Sequence, residues 1–160
     1  MNKSCTNAPR TDRGAFSLLE LVIVLAILTV LSVIAIPRYA SATARYRADV
    51  AARQIVCDLG YARAKASTTS QPKEVIFDLA GGRVQIAGVP SLKRASAPYI
   101  TDLTAEPYRA RIISADFGGD EVVIFNIHAM PDSAGTAIIA VGDIQRRIDL
   151  DPVTGKATAQ

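Results

Sequence analysis

One glutamate, Glu20, sits near the start of an otherwise apolar segment long enough to cross a membrane. After Phe16, the chain to Ile36 is Leu, Val, Ile and Ala, broken only by Ser17, Glu20, Thr29 and Ser32. At about 1.5 Å per residue, a helix of this length spans a hydrocarbon core of roughly 30 Å. A carboxylate at the centre of such a span costs about 2.5–3.5 kcal/mol on insertion scales, and less near the interface. A charge kept there needs compensation, so Glu20 is expected to be functional. Two plainer readings compete. A cleavable secretory signal has a shorter apolar run and a small-x-small cleavage site, and a simple single-span anchor has no use for Glu20. Cations flank both sides, with Lys3, Arg10 and Arg13 before the span and Arg38, Arg45 and Arg47 after it. The positive-inside rule therefore leaves the orientation open.

Charge adds little. The formal net charge is +3, but three cations and one anion lie in residues 1–15, so the remainder is close to neutral. That balance gives no general case for nucleic-acid binding. There are two cysteines, Cys5 and Cys57. With the first fifteen residues removed, no intramolecular disulfide remains, and Cys57 reads as a small apolar filler on a helix.

Beyond Pro37 the helical spacing continues. Proline in a helix leaving a membrane can kink it and let it run on. Ala52, Ile55, Val56, Leu59, Ala62 and Ala66 form one apolar stripe at three- and four-residue steps. Arg45, Arg47, Asp49, Arg53, Asp58, Arg63 and Lys65 lie mostly off it. The expectation is one long N-terminal helix, apolar all round in its first half and amphipathic in its second. Ser67–Pro72 breaks it.

The period then changes. Glu74–Leu79 and Arg83–Ala87 read as a hairpin through Ala80-Gly81-Gly82. Gly88–Pro107 reads as an irregular excursion, Tyr108–Ala115 as a strand, and Glu121–Ile127 as a strongly apolar strand after a turn at Phe117–Asp120. Thr136–Val141 and Gln145–Leu150 read as a second hairpin, and Asp151–Lys156 as a final turn before a short tail. The fold class expected is α+β: the long helix packs its amphipathic half on an antiparallel β-sheet, each covering the other's apolar surface.

Gly14-Ala15-Phe16-Ser17-Leu18-Leu19-Glu20-Leu21-Val22-Ile23-Val24, with Ala35-Ile36-Pro37, closely resembles the processing site of type IV prepilins and type II secretion pseudopilins. In that family the first mature residue is usually Phe, the fifth Glu and the twenty-second Pro. Cleavage between Ala15 and Phe16 keeps Glu20 and Pro37 in that register. The family usually has Gly before the cut, here replaced by Ala15, and a cut after Gly14 would make Glu20 sixth. Residues Ala51–Ala66, Pro72, the Val75–Phe77 strand, Gly135–Ile138, Arg147–Asp149 and Thr154–Lys156 resemble the GspH/FimT group of minor pseudopilins. The resemblance implies a pilin-like fold divided into a leader (1–15), a membrane and assembly helix (16–37), its amphipathic continuation (38–70) and a β domain (71–160).

It also implies cleavage and N-methylation of Phe16 by prepilin peptidase, and assembly with other pilins or pseudopilins into a secretion pseudopilus or pilus. The implied location is the bacterial inner membrane, with a single span and a periplasmic globular domain. The amine freed at Phe16 can pair with Glu20 of a neighbouring subunit. Neither catalysis nor a cofactor is required. A rival reading, DNA capture by a FimT-like minor pilin, would use Arg146, Arg147 and Lys156 through salt-sensitive phosphate contacts. His128 is the single histidine, so a His-based metal cluster or triad has no second member. Asp116, Asp120 and Glu121 around Gly118-Gly119 could cup a hard cation, but a solvated turn is the simpler reading, and no metal is expected.

Overall fold

A helix of 52 residues, α1 (Leu18–Thr69), begins the described chain and runs through position 37 without interruption. The computed structural model describes residues 17–92 and 94–160. The chain divides into two units, one ending at Tyr39 and the other running from Ala40 to Gln160.

In the second unit, α1 turns one face inward. Ala48, Ala51, Ala52, Ile55, Leu59, Ala62 and Ala66 are buried, at the three- and four-residue spacing of one helical face. The sheets facing it fall into two antiparallel sets. β1 (Lys73–Asp78), β2 (Arg83–Pro90), β3 (Pro98–Asp102) and β5 (Val122–Phe125) form the first, in the order β3-β2-β1-β5. β4 (Arg111–Asp116), β6 (Gly135–Val141), β7 (Ile144–Leu150) and β8 (Ala157–Ala159) form the second, in the order β4-β6-β7-β8. Val75, Phe77, Val84, Ile86, Val123 and Phe125 of the first sheet and Ile139, Ile148 and Leu150 of the second join the helix face in one core. Phe77 stacks on Phe117 at a centroid distance of 5.1 Å, joining the two sheets through aromatic contact.

The hairpins fall where the alternation places them. Gly82 takes φ +60° in the β1–β2 turn, a region that suits glycine, and the Asp78 carboxylate accepts from the Gly81 amide at 2.8 Å. The strands occupy two sheets rather than the one expected. The excursion after Gly88 contains β3, and the tail contains β8. Both are edge strands, where proline and weak β-formers are tolerated. The strand expected from Tyr108 starts at Arg111, because residues 105–109 form a turn in which the Tyr108 and Arg109 amides donate to the Ala105 carbonyl. β5 stops at Phe125, because the Asn126 side chain accepts from the His128 and Met130 amides and curls the chain away.

Two helix positions need correction. Cys57 is exposed rather than a core filler. It follows Ile55 by two residues, about 200° round the helix, and so points away from the core. Asp58 follows Ile55 by three residues, falls inside the apolar stripe and is completely buried.

Candidate assembly interface

Among the described residues, the apolar half of α1 has exposed side chains. Leu18, Leu19, Leu21, Val22, Ile23, Val24, Leu25, Ile27, Leu28, Val30, Leu31 and Val33 are all exposed. This helix is long and apolar enough to cross a membrane. Its two hydroxyls are satisfied internally: Thr29 Oγ1 donates to the Ala26 carbonyl and Ser32 Oγ to the Leu28 carbonyl, each at 2.7 Å. Such back-bonding lets hydroxyls sit in hydrocarbon. Glu20 has no equivalent. It lies in the first turn of α1, where the helix dipole favours an anion, and no ion pair among the described residues includes it. A carboxylate so placed can accept an ammonium group from another molecule. Gly14, Ala15 and Phe16 lie outside the described residues; Pro37 falls within α1.

On the globular unit two of the three candidate basic side chains, Arg146 and Arg147, are bound to acids. Arg146 Nε donates to Asp49 Oδ1 at 2.6 Å, tying β7 to α1. Arg147 points to the other face of β7 and holds Asp149 at 2.6 Å. That guanidinium, with the Thr136 hydroxyl, keeps the Asp149 carboxyl below the ordinary range. Lys156 is exposed beside β8, and its carbonyl accepts from the Asp151 amide. Consecutive residues of a strand face opposite ways, so Arg146 and Arg147 do not share a surface. Asp116 spends one carboxylate oxygen on the Gly119 amide at 2.9 Å, forming a turn. His128 is exposed. Among the described residues no cluster of metal-ligating side chains occurs.

Residues 10–36 match the prokaryotic N-terminal methylation motif. No curated protein matches the chain in sequence. The fold has clear counterparts. The type IV minor pilin FimU of Pseudomonas aeruginosa superposes with a TM-score of 0.55 at 18% identity, over 72% of this chain and 90% of FimU. The minor pseudopilin EpsH from the type 2 secretion system of Vibrio cholerae gives 0.53 at 16% identity, over 71% of this chain and 96% of EpsH. The fold is pilin-like.

A polar cluster that the sequence pattern did not announce lies beneath β3. Asp58 Oδ1 accepts from Gln54 Nε2 and from the Tyr99 hydroxyl, both at 2.8 Å. Tyr108 donates to Gln54 Oε1 at 3.2 Å. Asp58 Oδ2 is buried with no well-formed hydrogen bond. Burial pushes the Asp58 carboxyl above its ordinary value, opposed more weakly by Thr101, Tyr99 and Gln54. The same burial and the carboxylate beside it push the Tyr99 phenol up to about 12. The available signal was the three-residue step from Ile55, which places Asp58 within the apolar stripe.

Proposed function

We propose that the chain is a minor pseudopilin, a structural subunit that prepilin peptidase cleaves between Ala15 and Phe16 and N-methylates at Phe16. It then assembles into a type II secretion pseudopilus or a related pilus. What carries this reading is the methylation motif over residues 10–36 on the same chain as a pilin-like fold. In the proposal, residues 1–15 are the leader, 16–37 the single inner-membrane span and assembly segment, 38–70 its amphipathic continuation, and 71–160 the periplasmic β domain. The new amine at Phe16 keeps its positive charge after methylation. Glu20 of a neighbouring subunit neutralises it in the lipid, so assembly satisfies a carboxylate that the isolated subunit leaves uncompensated. Pro37 marks the exit from the membrane. No catalytic step is involved.

Intact-mass and N-terminal peptide analysis of the membrane fraction should find Phe16 as a singly methylated N-terminus. Glu20→Ala should still be cleaved but enter sheared filaments about tenfold less, the equivalent of about 1.4 kcal/mol in assembly. Retention of residues 1–15 on the membrane-embedded protein, or normal filament entry by Glu20→Ala, would overturn the reading.

A further inference from the structure

Four strand edges are open to a partner in principle: β3 and β5 in the first sheet, β4 and β8 in the second. β5 is closed by its own chain, since Phe125 bridges to Pro131, the Asp132 amide donates to the Ile124 carbonyl, and the Asp132 carboxylate accepts from the Ile124 amide. β4 carries a bulge between Ile112 and Ser114, which spoils a straight ladder. β8 has only three residues.

β3 is different. Leu103 donates to the Gly82 carbonyl, and Arg83 lies opposite Asp102, Val84 opposite Thr101 and Gln85 opposite Ile100. Antiparallel pairs alternate between bonded and non-bonded. Tyr99 and Thr101 therefore bond β2, while the amide and carbonyl of Ile100 and Asp102 point outward. Beside this edge lies a cavity of about 470 Å³, with Gln54 of α1, Tyr99, Tyr108 and Leu92 on its walls. Ile100 is 46% and Leu92 76% exposed at its mouth. Asp102 and Glu106 also line it. Both carboxylates are held from outside the cavity, Asp102 by Arg83 and Glu106 by Arg47 and Arg109.

We propose that this edge takes up an extended segment of a neighbouring filament subunit of different sequence, which joins the first sheet as a fifth strand beside β3. Outward main-chain groups spaced two residues apart require an extended backbone as occupant. The chain's own edges supply no such segment, being closed, bulged or three residues long. The proposal rests on the filament reading above.

Residue-resolved hydrogen exchange on the full-length protein, compared between detergent solution and assembled filaments, tests it. Assembly should slow exchange at the Ile100 and Asp102 amides by about tenfold or more, with Tyr99 and Thr101 unchanged. Uniform protection of all four, or of none, would overturn strand addition. Protection that appears in detergent and rises with protein concentration would assign the edge to a second copy and overturn the choice of occupant. Ile100→Pro removes one outward donor without touching the bonds to β2. It should keep the wild-type melting temperature and enter filaments about tenfold less, whereas Ile100→Val should enter normally. Equal entry by Ile100→Pro would count against the proposal, and the exchange pattern of the wild type decides independently if that variant misfolds. Wild-type protein missing from filaments would remove the filament reading itself. Wild-type protein present there with open Ile100 and Asp102 amides would remove only the fifth strand.

Discussion

Asp58 pays a desolvation cost in the interior and returns it only in part, through the hydrogen bonds from Gln54 and Tyr99. Its folded-state pKa lies above the unfolded value near about 3.9, so its contribution to stability has a definite sign. That contribution is fully present below the unfolded pKa. It declines as pH rises from there through the folded pKa, and it is lost above. Asp58→Asn keeps both hydrogen bonds through its carbonyl oxygen and carries no charge. It should melt higher than wild type at pH 7, with the gap closing as pH falls toward about 4; a gap independent of pH would show that the carboxylate does not titrate there. Asp58→Ala strands two buried donors and should cost about 2–3 kcal/mol by denaturant unfolding. Position 58 shows how a sequence misleads at this scale. An acidic letter suggests solvent, and only its angular place beside Ile55 betrays the interior. Cys57 is the converse, an apolar letter at an outward angle.

At the level of elements, legibility follows how much of each strand is buried. The β1–β2 and β6–β7 hairpins, with strong alternation and glycine turns, stood out in the sequence. β3 and β8 did not, since an edge strand needs neither alternation nor strong propensity when its neighbour supplies the ladder. The division into two sheets was hidden for another reason. It depends on which strands pair across distance, such as β1 with β5, and local pattern carries no such information. Gly135 marks one place where the elements close tightly. A Cβ there would collide with the Phe117 ring and the Asp116 carbonyl, and Phe117 in turn stacks on Phe77. Gly135→Ala should therefore lower stability by about 1–3 kcal/mol through overpacking, measured by urea unfolding. A neutral result would mean that β6 shifts freely against Phe117.

At the scale of the whole chain, the described residues comprise an exposed apolar helical segment, then a domain with a core of its own. The boundary between the units falls at Tyr39–Ala40. A fragment from Ala40 to Gln160 holds every buried apolar residue of the described core, and it should fold alone with one cooperative thermal transition by circular dichroism. A broad, non-cooperative melt would show that the core draws on residues before Ala40. Five of the seven buried apolar residues on the helix's inner face are alanine. The sheets approach so thin a cushion closely, and added bulk at Ala51 or Ala62 would wedge them off. The outward positions Arg53, Cys57 and Ala64 carry no such restriction. Evolutionary drift should therefore be lopsided along this helix, with new binding preferences accumulating on its outer flank while the inner one stays frozen.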